Sequence, residues 1–215
     1  MGQYFGTDGI RGAANKEPMT PHTILKIAQS FGVFLKTKTK RPKVVIGKDT
    51  RVSSYTVENA IAAGLCSVGV DVFFLGPIPT AGVAYLTKGL RASAGIMISA
   101  SHNPYSDNGI KLFDNSGHKF SDKAEETIEK LIDQDLSSYL VDSQSIGRAK
   151  RIDDAIGQYA VFLKEKLPRN LKLDGMKIVI DCANGAAYKV APKVFEELGA
   201  EVTCIHRIPN GFNIN

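Results

Sequence analysis

The chain has 215 residues, 43% of them hydrophobic and 23% charged, with 27 Lys plus Arg against 22 Asp plus Glu for a formal charge of +5. Those proportions are ordinary for a soluble globular chain and exclude disorder, collagen-like repeats and burial in a membrane. The length suits one large domain or about one and a half ordinary ones, and so mild a charge excess favours anionic partners only weakly.

In chain order, the first predicted helix runs from about Thr20 to Thr37, with Thr20 as N-cap, Pro21 at the first helical position and Ile24, Leu25, Ala28, Phe31 and Leu35 on one face. The basic run that follows, Lys36, Lys38, Lys40, Arg41 and Lys43, reads as a solvated helix end. No aromatic residue interleaves it, so nucleic-acid binding is not expected. Lys43–Gly47, a helix over 53–68 and Asp71–Leu75 form a β-α-β unit, and a short helix from Thr80 to Lys88 leads to an apolar strand at Ala94–Ser99. A polar stretch over 101–107 and an Asn108-Gly109 turn signal come before a short strand at Ile110–Phe113 and a helix near Ser121. The Ser-rich segment over 135–151 has little periodicity and reads as an interdomain crossing. Helices over 153–167 and 188–198 and strands at Met176–Asp181 and Glu201–Ile205 make a second unit. The fold class is therefore α/β, with mixed, mostly parallel sheets sandwiched by helices.

Cys66, Cys182 and Cys204 have no CxxC pair and no metal-ligand spacing, so buried inert thiols in a reducing cytoplasm are expected. No basic segment followed by an apolar run opens the sequence, and the longest apolar stretch, Ala60 to Val70, stops at Asp71, so neither export nor membrane spanning is expected. His22, His118 and His206 lack partners at ligand spacing and read as surface or satisfied histidines.

The chemistry concentrates where a strand ends in a sharp polar turn, because open α/β sheets place ligands at the carboxyl ends of their strands. Ser101 at such a tip can act as a nucleophile or phosphoryl carrier, and His102 beside it offers charge stabilisation or proton transfer. Lys111 can return an ammonium to the same place. The opening segment Phe5-Gly6-Thr7-Asp8-Gly9-Ile10-Arg11-Gly12 sets three glycines around Arg11, whose planar guanidinium suits phosphate. A further polar cluster, Gly47-Lys48-Asp49-Thr50-Arg51, lies at a strand end.

Together with Ile-Ser-Ala-Ser-His-Asn-Pro-Tyr-Ser-Asp-Asn-Gly-Ile-Lys (98–111), Asp-Cys-Ala-Asn-Gly-Ala (181–186) and Pro-Asn-Gly-Phe-Asn-Ile-Asn (209–215), these segments resemble the alpha-D-phosphohexomutase superfamily along the whole chain. Ala100 before Ser101, and the run from Asp107 to Lys111, are similar to its glucosamine branch rather than to its phosphomannomutase/phosphoglucomutase branch. The resemblance implies that Ser101 is a phosphoserine in the active enzyme, with His102, Lys111 and Arg11 lining its pocket. The implied reaction interconverts glucosamine 6-phosphate and glucosamine 1-phosphate through a 1,6-bisphosphate, on the route to cell-wall precursors. The implied cofactor is one Mg2+, held by the phosphate on Ser101 and by three aspartates of an Asp-Gly-Asp-x-Asp-Arg loop. That loop does not occur in this sequence. The chain is accordingly expected to be domain I of the family, residues 1–145, plus the first part of domain II, residues 146–215, ending before the metal loop and inactive alone. The expected partners are the sugar phosphate and the bisphosphate, with no nucleic acid and no membrane, and a homodimer of the longer enzyme is compatible. A phosphomannomutase or phosphoglucomutase and a non-catalytic phosphate-binding module are the alternatives.

Overall fold

The structure, a computed structural model, describes residues 3–215. In chain order its elements are β1 (Ile10–Ala13), α1 (Pro21–Lys36), β2 (Lys43–Lys48), α2 (Ser53–Ser67), β3 (Asp71–Pro77), α3 (Thr80–Gly89), β4 (Ala94–Ile98), β5 (Asp107–Asp114) and α4 (Asp122–Ile132). A single 3-10 turn at Ser137–Tyr139 precedes β6 (Ala149–Arg151), α5 (Ala155–Glu165), β7 (Lys177–Asp181), α6 (Val190–Glu197) and β8 (Glu201–Ile205).

The helices form where their ends and faces dictate. The side chain of Thr20 accepts from the Thr23 N–H, Pro21 begins α1, and Ile24, Ile27, Phe31 and Leu35 turn inward at helical spacing. Ser121 caps α4 by accepting from Ala124 N–H, and Asp154 caps α5 by accepting from Gly157 N–H. Lys36, Lys38, Lys40 and Arg41 are exposed, and Lys43 is half-buried at the start of β2.

Strands β1 to β6 make one sheet in the order β1-β5-β4-β2-β3-β6. Pairings β4–β2, β2–β3 and β3–β6 are parallel, while β1–β5 and β5–β4 are antiparallel, so the sheet is mixed and mostly parallel. Side chains alternate across it. Val44 and Ile46 enter a core with Phe31, Ile61, Leu65 and Ile128 under α1, α2 and α4, whereas Val45 and Met97 enter a second core with Ile78, Val83, Leu86 and Tyr159 under α3 and α5. Each fully buried aliphatic side chain contributes about 1.5–3 kcal/mol. Because the connection through α2 covers one face and that through α3 the other, the chain changes direction between β2 and β4. The crevice at the carboxyl ends of these two strands is the place where such sheets receive ligands.

Two expectations change. Asn108 and Gly109 lie inside β5 and do not form a turn. The Asn108 amide donates to Ser53 Oγ at 2.9 Å and Ser54 Oγ at 3.1 Å, so its polarity is spent on tertiary contacts. The presumed crossing over 135–151 also contains a strand, β6, which joins the first sheet beside β3. Its three residues, Ala149, Lys150 and Arg151, are all exposed, and an edge strand so charged carries no apolar alternation to read. The sheet therefore extends past the 145/146 boundary set out above.

Strands β7 and β8 form a separate parallel pair, with α6 between them in sequence. Helix α5 joins this unit to the first sheet: Phe162 stacks on Tyr85 of α3 with ring centroids 3.8 Å apart. A two-stranded sheet is marginal without such packing. Of the cysteines, Cys182 is buried, while Cys66 and Cys204 are only partly so. Burial pushes the thiols of Cys66 and Cys182 above their ordinary value, which keeps them protonated and inert. Among the described residues, no helix is long and apolar enough to cross a membrane.

Candidate active site

Strand β4 runs straight into the polar loop. Ser99 N–H is held by Gly109 O at 2.9 Å, the loop turns after Ala100, and Ser101 sits at its tip, exposed and with a left-handed φ of 58°. A non-glycine residue in that region is uncommon and strained. Something must hold it there, and a fully buried Arg51 does. Its Nη2 donates to Ser101 O and Asn103 O, both at 2.9 Å, and its Nη1 donates to Pro104 O. Its Nε is paired with Asp49 Oδ2 at 2.8 Å. Asp49 Oδ1 in turn accepts from Arg51 N–H at 3.1 Å and Ser54 Oγ at 3.0 Å, so the charge of the guanidinium is balanced and its plane is fixed from behind.

Ser101 Oγ lies 3.4 Å from His102 Nδ1, so the two residues named from sequence meet at the tip. Arg11 and Lys111 meet on a different group. Arg11 Nη2 is 2.5 Å and Lys111 Nζ 2.7 Å from the same oxygen of Asp8. Burial alone would raise the Asp8 carboxyl, but Lys111 and Arg11 outweigh it and hold the group below its usual range. Two cations on one carboxylate leave a net positive charge. Arg11 Nε is also buried with no acceptor among the described residues.

The register connects this cluster to the Ser101 loop. Arg11 on β1 faces Gly109 on β5. A Cβ at position 109 would come within 3.0 Å of Arg11 Cγ and 2.8 Å of Ser99 O, so glycine lets the arginine stem cross the strand beside the residue that opens the loop. Lys48, at the end of β2, is nearly buried, pairs with Glu58 at 2.5 Å and lies under the Tyr55 ring, which commits it to structure. A cavity of about 320 Å³ lined by Asp122, Glu125, Glu126 and Glu129 lies against residues 5–7, and its four carboxylates repel an anion.

The second unit also reaches the loop. Asn215 Nδ2 donates to Ser101 O at 3.2 Å and Asn103 O at 3.3 Å, Thr50 Oγ1 donates to Asn184 O, and Tyr105 packs edge-on against Phe212 at 5.4 Å. The sequence set Arg51 in a polar cluster at a strand end and Asn215 in the closing 209–215 segment but gave neither a role at the loop, since an arginine buried at a strand end reads like one on a surface. The Asp49-x-Arg51 spacing before a Ser-Ser helix start was the available signal. His206, expected to be satisfied, has its Nδ1 3.0 Å from Asp181 Oδ1.

A resident magnesium site is not made by these residues. Among the described residues no group of three or more His, Cys, Asp or Glu side chains is placed to hold a metal ion.

A family model for the phosphoglucomutase/phosphomannomutase alpha/beta/alpha domain I matches residues 2–138. A phosphoglucosamine mutase of Mesorhizobium japonicum is 57% identical over 214 residues, covering 100% of this chain and 48% of the relative. One from a Chelativorans species is 56% identical over 213 residues, covering 99% and 47%. A solved phosphoglucomutase/phosphomannomutase family protein of Burkholderia thailandensis shares the fold with a TM-score of 0.82 at 24% identity, covering 98% of this chain and 45% of that one. The chain thus spans about half the length of the curated relatives it matches. With the match running through the Ser101 loop, the Arg11 segment and the sheet that joins them, the chain belongs to the phosphoglucomutase/phosphomannomutase family.

Proposed function

We propose that this chain is the phosphoryl-carrying part of a phosphoglucosamine mutase, with Ser101 as donor and acceptor, acting in the cytoplasm on glucosamine 6-phosphate and glucosamine 1-phosphate through the 1,6-bisphosphate. The observation that carries the reading is Ser101 Oγ, presented at positive φ on a loop pinned by a buried arginine and next to an imidazole. In the forward step the Oγ–P bond of phosphoserine breaks as a P–O bond to the free sugar hydroxyl forms. His102 takes the hydroxyl proton and returns it to Ser101 Oγ. Arg11 and Lys111, already crowded on Asp8, supply positive charge to the transferring group, and turning from Asp8 towards phosphate costs little because both partners are anionic. The bisphosphate turns over and the reverse step regenerates phosphoserine.

We propose Mg2+ as a counter-ion of that phosphate in the longer protein, its other ligands lying outside residues 1–215, and we propose a first domain that corresponds to the sheet of β1–β6 with a second unit beginning at α5. The identity with phosphoglucosamine mutases favours an amino sugar over mannose or glucose.

Peptide mapping of the full-length protein tests the reading. The phosphate is expected on the peptide carrying Ser101, and Ser101→Ala should lower kcat at least about 1,000-fold, the scale of losing a covalent nucleophile. A phosphate on another residue, or retained turnover, would overturn it.

A further inference from the structure

The buried guanidinium does more than fix a strained serine. Arg51 draws the carbonyls of Ser101, Asn103 and Pro104 inward, two of them at 2.9 Å. A trans peptide is planar, with its C=O and N–H antiparallel. Turning the Ser101 carbonyl toward the interior therefore turns the N–H of the next residue, His102, outward, to the side where the loop meets solvent. That N–H donates to no protein acceptor among the described residues, whereas the Asn103 N–H is taken by Ala100 O at 3.1 Å and the Ser101 N–H by Ser99 Oγ at 3.0 Å. Ser101 and His102 are both exposed, so an unpaired donor stands directly beside the hydroxyl.

We infer that the backbone N–H of His102 is a phosphate-binding donor for the group on Ser101, and that Arg51 is the positioning residue that aims it. This rests on Ser101 being the phosphoryl carrier. The role suits arginine and not lysine: three carbonyls and one carboxylate are met by a rigid planar fork, while an ammonium is a point charge with no fixed plane. It also explains why so costly a group as a fully buried arginine stands behind a surface loop. An aimed amide needs no reorganisation when charge builds on the phosphoryl oxygens, which is the condition under which such donors accelerate transfer.

The test uses the full-length protein with 15N-labelled histidine, compared with Ser101 phosphorylated and dephosphorylated. The His102 amide proton is expected to move downfield on phosphorylation as it enters a charge-assisted hydrogen bond. Arg51→Lys is expected to abolish that movement and to lower kcat about 100-fold, the cost of a misplaced reacting group, with KM changed less than about threefold. A phosphorylated Ser101 with an unmoved His102 amide overturns this inference alone, and that measurement on the unaltered protein stands even where the variant does not fold. A folded Arg51→Lys protein with kcat within about threefold of the parent overturns the positioning role. A full-length enzyme that turns over with no phosphate on Ser101 overturns this inference and the proposed function together.

Discussion

Asp8 is the residue on which the electrostatics of the site turn, because Lys111 and Arg11 share one of its oxygens. Its carboxyl lies below the usual range even though burial pushes the other way. A carboxylate lowered by folding contributes stability that is present above its unfolded value, about 3.9, and is lost as pH falls through the lower folded value. Asp8 is half exposed, with a side-chain accessibility of 53%, so solvent screens the pair and the contribution should stay below about 1 kcal/mol. Asp8→Asn should flatten the acid side of the stability profile below about pH 4, as read from urea midpoints across pH. In the full-length enzyme the same change should free both cations and tighten phosphate binding while slowing product release. An unchanged acid limb would mean that the two cations do not hold Asp8.

At the scale of elements, β1 pairs antiparallel with β5, and the chain enters it through a backbone conformation that only glycine adopts without strain. Gly9 has φ of 93°, and a side chain there would collide with the carbonyl of Ile110. Gly9→Ala should destabilise the chain by about 2 kcal/mol and loosen the strand that carries Arg11, as seen in thermal unfolding and in faster amide exchange over residues 10–13. Loss of stability without faster exchange there would place the strain elsewhere. The elements that were legible in the sequence are those with a strong period, a cap or an unbroken apolar run: α1 from its apolar face and Thr20, and β2 and β4 from continuous apolar runs. Those that were not are held by tertiary contacts alone. Strand β1 is four residues of mixed polarity, β6 is three exposed residues of which Lys150 and Arg151 are charged, and Asn108-Gly109 looks like a turn until Ser53 and Ser54 are placed beside it. The same limit applies at the site. The place of Ser101 and His102 at a loop tip was readable from the strand that ends before them, whereas the contacts of Arg51 depend on burial, which a one-dimensional pattern does not record.

For the whole molecule, the Ser101 site is one-sided. It holds a hydroxyl, an imidazole and two cations, and among the described residues no cluster of three or more His, Cys, Asp or Glu side chains is placed to hold a metal ion. Residues 1–215 alone should therefore fold but not interconvert glucosamine phosphates in a coupled assay, and calorimetry with added Mg2+ should show no tight site; turnover by this piece would sink the proposal that the rest of the protein completes the centre. The two sets of bonds on the Ser101 loop also differ in kind. Arg51 reaches the carbonyls of Ser101 and Asn103 at 2.9 Å with full charge from within the first sheet, and Asn215 reaches the same two atoms at 3.2 and 3.3 Å, uncharged, from the second unit. Under any relative rotation of the units the amide contacts are the first to part. The loop then behaves as a fixed jaw, travelling with the first unit while the second swings past it, so in the proposed reaction the cleft can open for a bisphosphate to turn round without disturbing the Ser101 hydroxyl.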